Sequence, residues 1–330
     1  MSAQKTSAIA DQEPVDVLFA IHEKFDLLDF AGALEVFTTA SHDFKDPDSK
    51  YLQSHSILAH TPPSSWCTVH SFALPLPLIT FPLVDNKAFE VTIVGPEPKV
   101  ISDQGVVVGS QISYKEAHER LEDFDILVVV GGNSKEVVAK ELQPLSLITD
   151  FSELQKRDPA RERTILSICT GALFLGKQGI LSGLSATTHP DFLTTFENIC
   201  SDAATVNLQE RTDVVEDARY VVNNLRFDLG EDESPYIRRK SDAGQGRRPS
   251  AARKGSMSFK DSNTRRESIV RRAAMRLGGL RVVTSGGVSS GIDAALYLVS
   301  AMIDDFTALE VARILQWTWN KGVVVDGLDV

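Results

Sequence analysis

The chain has 330 residues, of which 42% are hydrophobic and 24% charged, with a mean hydropathy of −0.08. These values describe a soluble chain with enough apolar side chain for a substantial core, and no apolar run reaches the length of a membrane span. A formal charge of −11 argues against a nucleic-acid-binding body, and three scattered cysteines, Cys67, Cys169 and Cys200, are too few for a disulfide framework or a zinc cluster, so a cytoplasmic protein is expected.

Residues 1–14 are small and polar, with no basic start leading into an apolar stretch; they read as a disordered tail, not a secretory signal. VDVLFAI (15–21) followed by HEKFDLLDFAGALEVFTTA reads as strand, loop and helix. A loose Pro- and Ser-rich insertion is expected at about 43–86. FEVTIVG (89–95) is a strand, VVVG near 106 a hairpin element, and SYKEAHERL (113–121) a helix capped by Ser113. DILVVVGG (125–132) is an apolar strand ending in two glycines. A helix over 144–156 and the strand TILSI (164–168) follow, so that Cys169 stands at a strand-to-helix junction. ATTHPDF (186–192) gives a short strand and a helix start, and TDVVEDARYVV a hairpin. RVVTSGGVSSGIDAALYLVSAMI runs from strand through a glycine-rich turn into a buried helix. DFTALEVARILQWTWN closes the chain with an amphipathic helix.

Strands apolar on both faces alternating with helices predict an α/β fold with a mostly parallel sheet sandwiched by helices, and ligands gather beyond the C-terminal ends of such strands. Residues 15–330 are read as one domain. It is interrupted a second time at about 226–278, where large apolar residues are almost absent and a disordered insertion is expected. Residues 236–277 carry thirteen Lys/Arg against three Asp/Glu, but few aromatics and no binding module, so nucleic acid is not the expected partner.

Cys169 is the residue most suited to chemistry. At a helix start, unpaired N–H groups and the helix dipole favour a thiolate, so a lowered pKa is expected. The amides of Thr170 and Gly171, with the turn Gly131, Gly132 and Asn133 at the end of an adjacent strand, would face negative charge on a bound intermediate. Asp29 lies between Leu28 and Phe30 and is expected to point inward. Cys67 and Cys200 read as structural, and the turn TSGGVSSG, which lacks a phosphate-loop Lys, as packing.

These segments carry a resemblance. SICTGALFLGKQGILSGLSATTHP, with FDLLDFAGALEVF before it and VVTSGGVSSGIDAALYLV after it, resembles the ThiJ/PfpI superfamily and is most similar to its isonitrile hydratase branch. The resemblance implies a flavodoxin-like, class I glutamine amidotransferase-like domain with a cysteine elbow. It implies that Cys169 is the nucleophile, that Asp29 in LLDFAG is the acid and base beside it, and that Thr170 orients water or substrate. His189 in TTHP resembles a histidine near the thiol in the deglycase branch. Thr170 stands where the protease-like branch has His, and Asp29 where the deglycase-like branch has Glu.

The function implied is hydration of an isonitrile to an N-substituted formamide, a lyase reaction suited to secondary metabolism that needs no metal or organic cofactor. A glyoxalase or deglycase acting on methylglyoxal and a cysteine redox sensor are the alternatives. Only about ten residues follow the last predicted helix, too few for the DNA-binding module of the regulator branch. The expected partners are a small-molecule substrate and a second copy, paired through the early helix around Ala33 to Phe37. In the basic insertion, Ser241, Ser250, Ser256 and Ser268 each follow two basic residues at the third and second positions before them, the pattern a basophilic kinase would take.

Overall fold

The computed structural model describes residues 13–42, 87–225 and 272–326. The expectations for the tail through residue 12, for 43–86 with Cys67, and for 226–271 with Ser241, Ser250, Ser256 and Ser268 lie outside the described residues.

The strands are β1 (Val15–Ala20), β2 (Phe89–Gly95), β3 (Lys99–Ile101), β4 (Val107–Gly109), β5 (Ile112–Ser113), β6 (Ile126–Val129), β7 (Thr164–Ser167), β8 (Ser185–Ala186), β9 (Asp213–Val214), β10 (Tyr220–Asn224), β11 (Arg281–Ser285) and β12 (Val323–Asp326). The helices are α1 (Leu27–Thr39), α2 (Tyr114–Glu119), α3 (Ser134–Lys140), α4 (Leu145–Arg157), α5 (Ala172–Lys177), α6 (Leu193–Val206), α7 (272–277), α8 (Ser290–Met302) and α9 (Asp305–Ile314). Eight of the described strands form one sheet in the order β12-β10-β11-β7-β6-β1-β2-β5. Its members are parallel except where β10 meets β11.

The continuous apolar runs of β1, β6 and β7 follow from burial on both faces. Leu18 and Ala20 of β1 pack with Phe151 of α4, Phe174 of α5 and Phe196 of α6. Val17 and Phe19 pack on the other face with Phe37 of α1, Val299 of α8 and Val311 of α9. From β1 the chain steps to β2 on one side, then returns to β6 on the other and continues to β7 and β11. This is the flavodoxin-like arrangement, and it opens a crevice where β1 and β6 end. The α/β class expected from the sequence is observed.

Three sequence expectations are corrected. TDVVEDARYVV is no hairpin: β9 pairs with β8, whereas β10 enters the main sheet against β11 because Tyr220, Val221 and Val222 are buried. The second insertion ends earlier than expected. Ala273, Ala274 and Leu277 place an apolar face of α7 in the core, and the Arg276 guanidinium donates to the carbonyls of Gly179, Ile180 and Ser182. In the early helix Ala33, Val36 and Phe37 are buried against the sheet, and Glu35 is the exposed residue of that stretch. Finally, the chain after α9 returns to the sheet as β12 beside β10. That return is fastened by the buried Asp293 of α8, which accepts from the Trp317 indole and the Asn320 amide and pairs with Arg219. Among the described residues no helix is long and apolar enough to cross a membrane.

Candidate active site

Cys169 follows β7 and Ile168, and opens a single 3₁₀ turn, Cys169–Gly171, before α5. Its φ is +56°, a left-handed conformation that a side chain other than glycine adopts only under constraint. The constraint is visible on both sides of the residue. Its N–H donates to the carbonyl of Gly286 at 3.1 Å, and its carbonyl accepts from the Thr188 hydroxyl at 2.9 Å. Gly171 lets the turn seat against β6, since a Cβ there would lie 2.6 Å from the Val129 carbonyl oxygen. The resulting elbow lifts the sulfur to the end of the sheet, with 6% of the residue exposed.

Asp29 reaches the same point from α1. Asp26 caps that helix, its carboxylate accepting from Leu28 N–H at 3.0 Å and Asp29 N–H at 3.4 Å. The N–H of Asp26 is itself taken by the Gly131 carbonyl at 3.0 Å. With the cap supplied by Asp26, the Asp29 side chain turns inward and is fully buried. Its Oδ2 accepts from Gly131 N–H at 3.1 Å, while its Oδ1 has no conventional hydrogen-bond partner and the carboxyl lies against the Cys169 thiol.

Burial, followed by the charge of Asp26, pushes the Asp29 carboxyl up to about 8, against the Gly131 N–H and the Cys169 thiol, which favour its ionised form. Burial, followed by the charge of Asp29, pushes the Cys169 thiol up to about 12, against a hydrogen bond from Thr170 N–H. The lowered thiol pKa expected from position alone is therefore corrected. A short, mostly buried helix start carries one usable amide, and desolvation beside a carboxylate outweighs it.

The anion cradle is corrected as well. Gly171 N–H donates to Ile168, Gly131 N–H to Asp29, Gly132 N–H to the Thr170 hydroxyl at 3.0 Å, and Asn133 N–H to Lys24. The Asn133 amide side chain binds Glu136 at 2.6 Å. Of the expected donors, Thr170 N–H alone faces the sulfur. The Thr170 hydroxyl is a brace between the elbow and the β6 loop, not a free group for orienting water. Gly131 threads between Asp29 and the elbow: a Cβ there would lie 2.7 Å from Asp29 Oδ2 and 2.8 Å from Thr170 Oγ1. Gly131→Ala is accordingly expected to lower any Cys169-dependent turnover by at least about tenfold and stability by about 1–3 kcal/mol, measured by steady-state rates and thermal unfolding.

A cleft of about 280 Å³ opens over the sulfur, lined by Cys169, Thr170, Gly132, Asn133 and His189, and by Asp26, Asp103, Phe192 and Val288. His189 caps the short turn Pro190–Phe192, its Nδ1 accepting from Asp191 N–H at 3.2 Å, which leaves Nε2 as the ring's N–H. His189 thus faces the cleft as a donor. The sequence reading missed four of the lining residues. Asp26 was legible as the cap three residues before Asp29, and Asp103 as part of the S-D-Q-G turn, whereas Phe192 and Val288 give no local sign. The glycine-rich turn at 286–288 is part of the site and not packing alone, since Gly286 holds Cys169 and Val288 lines the cleft. Cys200 is buried, its thiol pushed up to about 11 by burial, and lies in the core as expected. Among the described residues no group of three or more His, Cys, Asp or Glu is gathered to hold a metal.

Fold and site together define a flavodoxin-like α/β protein with a cysteine elbow at the sheet's C-terminal edge and a buried carboxyl beside it. Residues 78–224 match the sequence profile of the DJ-1/PfpI family, which supports the DJ-1/PfpI superfamily for this chain. No curated protein matches it. Among solved structures, Drosophila melanogaster DJ-1β is 15% identical, with 93% of this chain and 100% of that one covered at a TM-score of 0.48. A THiJ/PfpI family protein from Pseudomonas syringae is 13% identical, with 97% and 83% covered at 0.49. An AraC family transcriptional regulator from Pseudomonas putida is 17% identical, with 92% and 100% covered at 0.45.

Proposed function

We propose that the chain hydrates an isonitrile to an N-substituted formamide, with Cys169 as nucleophile and Asp29 as the proton shuttle. The observation that carries this reading is the fully buried Asp29 carboxyl against the Cys169 thiol, with Oδ1 left for proton transfer. A carboxyl pushed up to about 8 is a strong enough base to activate a protonated thiol.

The ionised Asp29 takes the thiol proton as sulfur bonds to the terminal carbon of R–N≡C, then delivers that proton to the same carbon. The product is a thioimidate, R–N=CH–S–Cys169, with Asp29 ionised again. Asp29 next takes a proton from water as the oxygen attacks the carbon, and passes it to nitrogen. In the third step it takes the hydroxyl proton, the C–S bond breaks, and the proton goes to sulfur. R–NH–CHO leaves and the thiol is restored; the sum is R–NC plus water. The Nε2–H of His189 serves as a donor to the product oxygen, so His189→Ala is expected to slow turnover by no more than about tenfold.

His189 in the cleft also favours a second reading, a glyoxalase or deglycase in which the thiol adds to the aldehyde of methylglyoxal. A redox role is favoured less, because a thiol held protonated offers little of the thiolate on which oxidation depends. Parallel assays with benzyl isonitrile and with methylglyoxal test the proposal. Formation of N-benzylformamide that is lost in Cys169→Ala is the expected result; methylglyoxal consumption without formamide would replace the proposal with the second reading.

A further inference from the structure

We infer that Asp103, with Asp26 beside it, makes the cleft over Cys169 a charge filter that admits neutral or cationic substrates bearing an apolar arm and excludes carboxylates. The inference names the substrate class of the proposed hydration and rests on that reading for the identity of the reacting group.

Asp103 sits in the turn between β3 and β4, and that hairpin is fastened to the start of α1 by four bonds. Lys24 N–H donates to Ile101 at 2.8 Å and Asp103 N–H to Phe25 at 2.9 Å. Leu27 N–H donates to the Gln104 side chain at 3.0 Å, and Gln104 Nε2 donates to Asp26 Oδ2 at 3.1 Å. The hairpin is thereby held as a wall of the cleft, and both acidic residues line it, Asp103 at its solvent-exposed mouth. No Lys or Arg is among the lining residues. Two cations stand close by outside that set: Lys135 Nζ lies 5.9 Å from the centroid of the Phe192 ring, and Lys24 acts on Glu136, the partner of the Asn133 side chain. Phe192 and Val288 give the cleft its apolar lining, while Asp26, Asp103 and, once ionised, Asp29 set its potential. An anionic substrate would have to bring its charge past both carboxylates on its way to the buried sulfur, and their repulsion acts through solvent, strongest at low salt. Asp26 is tied to the helix start and to Gln104, so Asp103 is the residue whose charge can be removed with least effect on geometry.

The test uses two pairs of probes on the full chain. In the first, methyl 4-(isocyanomethyl)benzoate is compared with its free acid. The expected kcat/KM ratio favours the ester by about fivefold or more at low salt, shrinks as salt is raised, shrinks in Asp103→Asn and inverts in Asp103→Lys. The second pair does not depend on the hydration reaction: alkylation of Cys169 by iodoacetamide and by iodoacetate, followed by mass spectrometry of the Cys169 peptide and normalised to a free thiol. Wild type is expected to disfavour iodoacetate by about threefold to tenfold beyond the free-thiol ratio, and Asp103→Asn to remove most of that preference. A normalised ratio near one, or a ratio unchanged in both Asp103 variants, overturns the filter. If no isonitrile is turned over while the alkylation ratio behaves as expected, the hydration reading fails and the filter stands.

Discussion

Cys169→Ala is expected to lower formamide production from benzyl isonitrile by at least about 10³ while the protein stays folded. Every covalent step of the proposed route runs through the sulfur, the nucleophile against which the Asp29 carboxyl lies. The fold should tolerate the change, because only one buried sulfur is lost and alanine meets the same backbone at φ +56° that cysteine already occupies. Thermal unfolding within a few degrees of wild type, together with formamide at background level, is the expected pair of results. Turnover within about tenfold of wild type in a folded variant would remove Cys169 from the mechanism.

Asp29→Asn should separate activity from stability. The rate is expected to fall by about 10² or more, since the amide keeps the shape and the bond from Gly131 but can neither take nor deliver the thiol proton. Stability should move the other way as pH rises. The Asp29 carboxyl titrates near 8 in the folded chain against an ordinary 3.8, so between those values the folded state holds a proton that the unfolded chain has released. Its contribution is intact below 3.8, and stability is lost at about 1.4 kcal/mol per pH unit until the folded-state value is passed. Asn has no such dependence. Denaturant unfolding at pH 5 and pH 8 should therefore show the variant gaining roughly 4 kcal/mol on wild type between the two. Equal pH dependence in both proteins would mean that Asp29 is not buried as a protonated acid.

The sheet was legible because its central strands are apolar on both faces. VDVLFA, ILVV and TILS admit few other readings, and the turn glycines that follow DILVVVGG mark where the crevice opens. The pairing of Asp29 with Cys169 was legible as a resemblance between motifs 140 positions apart. The protonation state was not, because it depends on how little water reaches the two groups. The anion cradle failed for a related reason: position after a strand tells that an amide is present, not that Ile168, Lys24 or Thr170 has already taken it. α7 was hidden because its buried Ala273, Ala274 and Leu277 are spaced among arginines, one of which, Arg276, is itself needed to close the turn after α5. Phe192 and Val288 reach the cleft only through tertiary folding, from a turn after β8 and a turn after β11.

The central claim is that Asp29, in its ionised form, draws the proton from the Cys169 thiol. The pH dependence of kcat/KM for a neutral isonitrile tests it most directly. The account predicts a rate that rises about tenfold per pH unit on the acid side and levels off near pH 8, with that limb absent from the residual activity of Asp29→Asn. A rate that falls as pH rises through 8, or an acid limb near 4, would contradict it.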